Sequence, residues 1–161
     1  MKKSARNLSR LSDISMELRN FSGITKRGDD MQKMAENRQH AHDYLSRYRY
    51  LTERLKQDAT ELRQFEKIEN ERTRGVIQKL TDAVHRDVKN LMQTREEVLS
   101  VIDAVESESE RQALLFRYIN GFSIEKIMDN MFFSKRRVQQ LLAGGLDTVS
   151  EMIRMAEQKT A

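Results

Sequence analysis

The sequence predicts an all-α chain in which a long helical hairpin or coiled coil precedes a smaller C-terminal domain of short helices. Three observations carry that prediction. Proline is absent and only six glycines occur in 161 residues, so little interrupts helical backbone. Charged residues make up 34 % and apolar residues 38 %, with aromatics at 6 % and no tryptophan, a balance that suits exposed helices better than one large core. Apolar residues also recur at three- and four-residue spacing along much of the chain.

The elements follow in order. Leu8, Leu11, Ile14, Leu18 and Phe21 outline an amphipathic helix over residues 5–21. Residues 22–30 are polar and contain Gly23 and Gly28, which reads as a turn or linker. Residues 1–29 are thus a basic N-terminal helix and linker; residues 1–28 hold seven Lys/Arg against two acids. A long pattern then covers residues 30–72, with Tyr44, Tyr48, Leu51, Leu55, Leu62 and Phe65 as its stripe. Asp58 interrupts the heptad, and Ala59 beside it takes its place. A second pattern covers residues 76–105, with Val84, Val88, Leu91, Arg95, Val98, Ile102 and Val105 at alternating steps of four and three. Arg95 on that seam calls for an acidic partner such as Glu53, Glu61 or Glu66. Gly75 marks the reversal of an antiparallel hairpin; a continuous helix through Gly75 is the competing reading. Residues 30–106 then form an oligomerisation region, and its uncovered stripe predicts a homo-oligomer, a dimer.

Residues 107–161 read as three helices. The first covers residues 108–119, with Leu114, Leu115 and Tyr118 on one face and Gly121 just beyond its end. Ser123 caps a second over 124–130, whose inward face is Ile124, Ile127 and Met128. Ser134 caps a third, with Val138, Leu141 and Leu142 inward and Leu146, Val149 and Ile153 extending it. Two short helices separated by about four residues, the second opening on Lys-Arg-Arg, is the layout of a helix-turn-helix. In that motif the first turns of the second helix reach the major groove. Lys and Arg donate there to guanine O6 and N7 or to phosphate, and Gln pairs with adenine. Ser134, Lys135, Arg136, Gln139 and Gln140 are therefore the candidate DNA-binding residues, with Arg137 facing either a phosphate or the preceding helix. A three-helix bundle with a solvated Lys-Arg-Arg turn is the competing reading of the same pattern.

On these residues the chain resembles a family. Arg117, Tyr118, Ile119, Gly121 and Ser123, then Ile127, then Ser134, Arg136 and Val138, then Gly145 and Leu146, are similar to region four of sigma factors. They resemble more closely the phage-encoded, sigma-like regulators of the ArpU/RinA late-transcription type. The resemblance covers about residues 50–153 and is motif-specific over 111–150. It implies a helix-turn-helix that binds double-stranded DNA, with Lys135, Arg136 and Gln140 where recognition helices touch bases and Arg137 and Gln139 beside them. It implies a phage or prophage regulator that activates late genes, with RNA polymerase as a candidate partner. The chain departs from the family where Met128 replaces a small residue and where Phe132 replaces glycine or another turn-compatible residue. A left-handed Phe costs about 1–2 kcal/mol, which predicts a wider turn. Gly144 and Gly145 replace better helix formers; Gly145 matches a small-residue packing position, whereas Gly144 implies a bend or an early helix end.

Other function classes fit less well. Cysteine is absent, which excludes disulfides and thiolate metal sites. His40 and His42 point about 200° apart on a helix, and His85 stands alone, so no metal site is expected. No nucleophile–base pair, phosphate loop or carboxylate pair suggests an enzyme or a cofactor. No apolar run approaches bilayer length, and the basic N-terminus lacks the apolar segment of a secretory signal, so a cytoplasmic location in the host bacterium is expected. A small terminase subunit is the alternative function, although its DNA-binding domain usually comes first in the chain. An adaptor that binds polymerase without touching DNA is a third.

Overall fold

The computed structural model describes the backbone of residues 5–160 and the side chains of residues 28–159. Every regular element among the described residues is helical: α1 (Ala5–Lys67), α2 (Glu71–Asp103), α3 (Glu108–Leu114), α4 (Ile124–Met131) and α5 (Lys135–Thr160). A π-helical turn, Leu115–Ile119, continues α3. The all-α expectation holds. The chain divides into two units, residues 1–37 and residues 38–161.

In the first unit the expected turn at residues 22–30 is absent; the backbone is helical there. Two isolated glycines cost a helix about 1 kcal/mol each, and with no proline nearby that is too little to break it. Residues 28–37 are exposed, and Gln32 Nε2 donates to Glu36 Oε1 one turn on. The predicted stripe from Leu8 to Phe21 lies outside the described side chains.

In the second unit α1 and α2 run antiparallel. Arg47 pairs with Glu97 at 3.2 Å and Arg54 with Asp87 at 3.3 Å. The reversal falls at residues 68–70, not at Gly75, which lies inside α2. The reason is Asn70. Its side chain accepts from the Arg72 and Thr73 N–H groups, and Thr73 Oγ1 accepts from the Asn70 N–H at 2.8 Å. This reciprocal cap satisfies the orphan donors of α2 and sets its start.

The seam also differs from the expected heptad. Arg95 and Val88 are exposed, and Leu80, Val84, Asp87, Leu91 and Thr94 are among the half-buried positions that lead to buried Val98. Two polar residues therefore face α1. Asp87 is met by Arg54 from α1, so the acidic partner sought for Arg95 has no counterpart and Arg95 belongs to solvent.

Full burial begins where a third layer arrives. Ala41 and Leu45 of α1, Val98 and Ile102 of α2, Val105, Leu114 of α3, Tyr118 and Val149 of α5 share one core. The seam from residue 48 to residue 97 is only half-buried, because two helices alone cannot cover it. A two-pronged ion pair joins α1 to α5: Arg38 Nε donates to Asp147 Oδ1 at 2.5 Å and Arg38 Nη2 to Asp147 Oδ2 at 2.7 Å.

Gly144 and Gly145 do not end or bend α5; they let α3 approach it. A Cβ on Gly145 would lie 2.9 Å from Leu114 Cδ1 and 3.0 Å from its Cγ, and one on Gly144 would lie 2.5 Å from Glu110 Oε1. The two neighbours differ. Leu114 is fully buried, whereas Glu110 is a half-exposed, flexible side chain. Substitution by alanine therefore separates them by sign. Gly144→Ala is expected to stabilise by up to about 1 kcal/mol, since Glu110 swings aside and helix propensity improves. Gly145→Ala overpacks a closed contact and is expected to cost a net of about 1 kcal/mol or more. Thermal melts of the two variants decide; equal shifts would rule out the close approach.

Candidate nucleic-acid interface

The α4–α5 pair is built on three local devices. Ser123 Oγ accepts from the Lys126 N–H at 3.2 Å and starts α4. Phe132 ends it in the left-handed conformation, at φ 56° and ψ 38°, with its N–H donating to the Met128 carbonyl. Ser134 Oγ then accepts from the Arg137 N–H at 3.3 Å, and the Ser134 carbonyl accepts from the Val138 N–H at 3.0 Å, starting α5. The expected wider turn is not found. The connection is short, and Phe132 itself adopts the strained left-handed conformation.

The predicted site residues come together on one surface. Ser134, Lys135, Arg136, Arg137, Gln139 and Gln140 are all exposed, while Val138 and Leu141 are buried on the other side of the helix. At about 100° per residue, Lys135, Arg136, Gln139 and Gln140 fall within one arc of about 140°, and Arg137 borders the buried side. Among the described residues none of the three cations forms an ion pair. This surface can donate up to three charged groups and two amides to an acceptor-rich partner without breaking a contact within the chain.

Acidic groups flank it on α4, where Glu125 and Asp129 are exposed. The Glu125 carboxyl is held below the usual carboxylate range by hydrogen bonds from its own backbone N–H and from the Ser123 hydroxyl, and the nearby charges of Lys135 and Arg117 add to this. Arg117, part of the motif, is structural: its Nη1 donates to the Phe122 carbonyl at 3.0 Å and closes the turn. Gly121 sits in that turn at φ 71° with the Arg49 guanidinium of α1 beside it, so a side chain there would be strained. Phe116 and Phe122 stack at 5.4 Å, and Lys126 Nζ lies 4.1 Å above the Phe122 ring.

The π-helical turn places Tyr118 against α1. Its hydroxyl is 2.7 Å from His42 Nδ1, and the rings meet edge-on at 5.6 Å. The imidazole tautomer sets the direction: a bare Nδ1 accepts from the phenol, and an Nδ1–H donates to the phenol oxygen. His42 therefore serves as a joint between helices.

Sequence reasoning missed two features of this region. The exposed ring of Phe132, at 91 % exposure, stands directly before the basic turn. The Tyr118–His42 bond joins residues 76 apart, which no local pattern displays. Comparison with family models, with curated proteins and with solved structures finds no match for this chain.

Burial, the largest cause, pushes the Tyr118 hydroxyl up from 10.0 to about 12, and Asp43 adds to the shift against the opposing charge of Arg117. A raised folded-state value contributes stability that is complete below pH 10.0 and is lost as pH rises through about 12. A phenolate absorbance titration of the native protein should therefore show a late step near pH 12. Tyr118→Phe should abolish that step. A late step that survives in the variant assigns it to another tyrosine.

Proposed function

We propose that this chain is a sequence-specific DNA-binding transcriptional regulator of a phage or prophage, acting in the bacterial cytoplasm as an activator of late genes. One observation carries the reading: Lys135, Arg136, Gln139 and Gln140 share one exposed arc of α5, backed by buried Val138 and Leu141 and free of ion pairs among the described residues. On this reading α4 and α5 form a helix-turn-helix and the first turns of α5 enter the major groove. Lys135 and Arg136 donate to guanine O6 and N7 or to phosphate, and Gln139 and Gln140 read adenine through paired donor and acceptor groups. Ser134, which caps the helix, and Arg137, at the edge of the arc, hold phosphates. The phage assignment and the late-gene role rest on the family resemblance, and RNA polymerase is the partner it suggests.

The Arg136→Ala, Arg137→Ala double variant is expected to keep its helicity, since both side chains are exposed, and to lose affinity for duplex DNA. Two lost phosphate contacts lower the slope of log K against log salt by about two. Gln140→Ala should change sequence preference more than general affinity. Unchanged affinity and an unchanged salt slope in the double variant would eliminate α5 as the DNA-reading helix.

The α1–α2 arm is the proposed dimer contact. Its seam is half-wet between residues 48 and 97, and Tyr50, Val88 and Met92 are exposed beside it. A second copy supplies the missing layer, and a dimer places two α5 helices on two half-sites. Light scattering on the full chain at tens of micromolar should return twice the 19.0 kDa monomer mass. A monomer under those conditions refutes the contact.

A further inference from the structure

Phe132 combines two costs that nothing within the described structure offsets. It holds the left-handed conformation at φ 56°, the sole non-glycine residue with positive φ among the described residues, and it leaves its ring 91 % exposed. A glycine or asparagine would close α4 with less strain and would expose no aromatic surface. The fold therefore does not require the ring. The left-handed backbone serves the cap of α4, but the ring has no such duty, and strained residues cluster at binding sites.

The surroundings of the ring say what it meets. Lys135 and Arg136, three and four residues on, are exposed, as is Asp129 three residues before it, and Phe133 beside it is 37 % exposed. An exposed apolar ring followed by the cations that open α5 fits a partner that is anionic yet carries apolar facets. Duplex DNA fits. Its phosphates face the cations, and its thymine methyl groups and deoxyribose rings are apolar and accessible at the groove edge.

We propose that Phe132 is an apolar DNA contact, packing on a thymine methyl or a deoxyribose while Lys135 and Arg136 engage the adjoining phosphates and bases. This rests on the DNA-binding reading above and adds a residue outside the recognition helix to it. The ring would anchor the start of α5 at the groove edge. Because it carries no charge, its share of the affinity is independent of salt, unlike that of the cations.

The test uses the full chain and the tightest duplex that the wild-type protein recovers from a random-sequence pool. Phe132→Gly and Phe132→Asn both suit the left-handed turn. Both should keep wild-type helicity, melt no lower than wild type, and bind that duplex about tenfold more weakly with an unchanged salt slope. Arg136→Ala, run alongside, should lose affinity with the slope reduced by about one. Uracil in place of thymine then locates the contact. Loss by wild type and none by Phe132→Gly assigns the methyl group; no effect on either assigns the deoxyribose. Wild-type affinity in both Phe132 variants overturns the proposal and leaves the ring to a protein partner. A loss of affinity that comes with a lower salt slope also overturns it, since the ring would then act only by orienting the cations. Failure of the wild-type protein to enrich any duplex is a different result, which removes the DNA-binding reading itself and this contact with it.

Discussion

α3 reaches α5 across a position that carries no side chain. With a Cβ on Gly145, Leu114 Cδ1 would be 2.9 Å away, so the two helices could not meet as they do. Much of the arrangement of residues 38–161 follows from that contact. Leu114 enters the core beside Leu45, Val98, Ile102 and Val149, which ties α3 and α5 to the open ends of α1 and α2. The backbone then runs from Leu114 directly into the π-helical turn, where the Asn120 and Phe122 N–H groups reach back to the Leu115 and Phe116 carbonyls. That wider turn aims Tyr118 at His42 and brings Gly121 beside Arg49. With α5 seated, Asp147 meets Arg38, a fork geometry in which both carboxylate oxygens accept. α4 hangs from this frame through Ile127, which is fully buried, and through the caps at Ser123 and Ser134.

Away from that core the α1–α2 arm obeys a weaker constraint. It is half-wet, so polar residues can occupy its seam at modest cost. Asp87 does so with its side chain 16 % exposed; Arg54 Nη2 lies 3.3 Å from Oδ2, without hydrogen-bond geometry. Such a pair contributes little net stability, because the desolvation of the carboxylate offsets much of the attraction. What it does supply is a counter-charge that offsets part of the cost of placing Asp87 in the seam. The neighbouring pair of Arg47 and Glu97, each side chain 42 % exposed, is more solvated and contributes less.

How much of this could be read from the sequence depended on the range of the interaction. Ser123 and Ser134 are local caps, and both were legible. The cap at Asn70 was equally local, but Gly75 drew the reversal to itself because a glycine after a helical stretch is the commoner stop signal. The seam of α2 was misassigned by one position at two places. Val88 and Arg95 continued an unbroken heptad on paper, whereas Asp87 and Thr94, which do face α1, looked like surface residues. Their burial is decided by Arg54 and by the partial wetness of the arm, neither of which appears in a hydrophobic pattern. Gly144 and Gly145 needed the position of α3 before they made sense. The candidate site residues were legible as a set because five of them sit in the first turns of one helix, where spacing alone fixes the face, and Ser134 caps it. Phe132 was flagged for its turn, but its exposure depends on how tightly α4 and α5 pack, and that is a tertiary fact.

Charge alone would make this a poor DNA binder: the chain carries only +4. On the proposed reading, local geometry must therefore concentrate the field, and the distribution of acids says how. Glu125 and Asp129 both lie exposed on α4, and hydrogen bonding holds the Glu125 carboxyl below its ordinary range. A duplex laid along the exposed face of α4 would press phosphates against two carboxylates. The same duplex approached by the first turns of α5 meets Lys135, Arg136 and Arg137 at the positive end of the helix dipole. The acids thus work against one docking pose while the cations favour the other, so the pair selects an orientation that net charge could not. Exposed like-charge repulsion of this kind is screened beyond about 8–10 Å at physiological salt, which confines the effect to phosphates close to the α4–α5 junction. The junction is also where Phe132 stands, so orientation and apolar contact would be set at the same point of the surface.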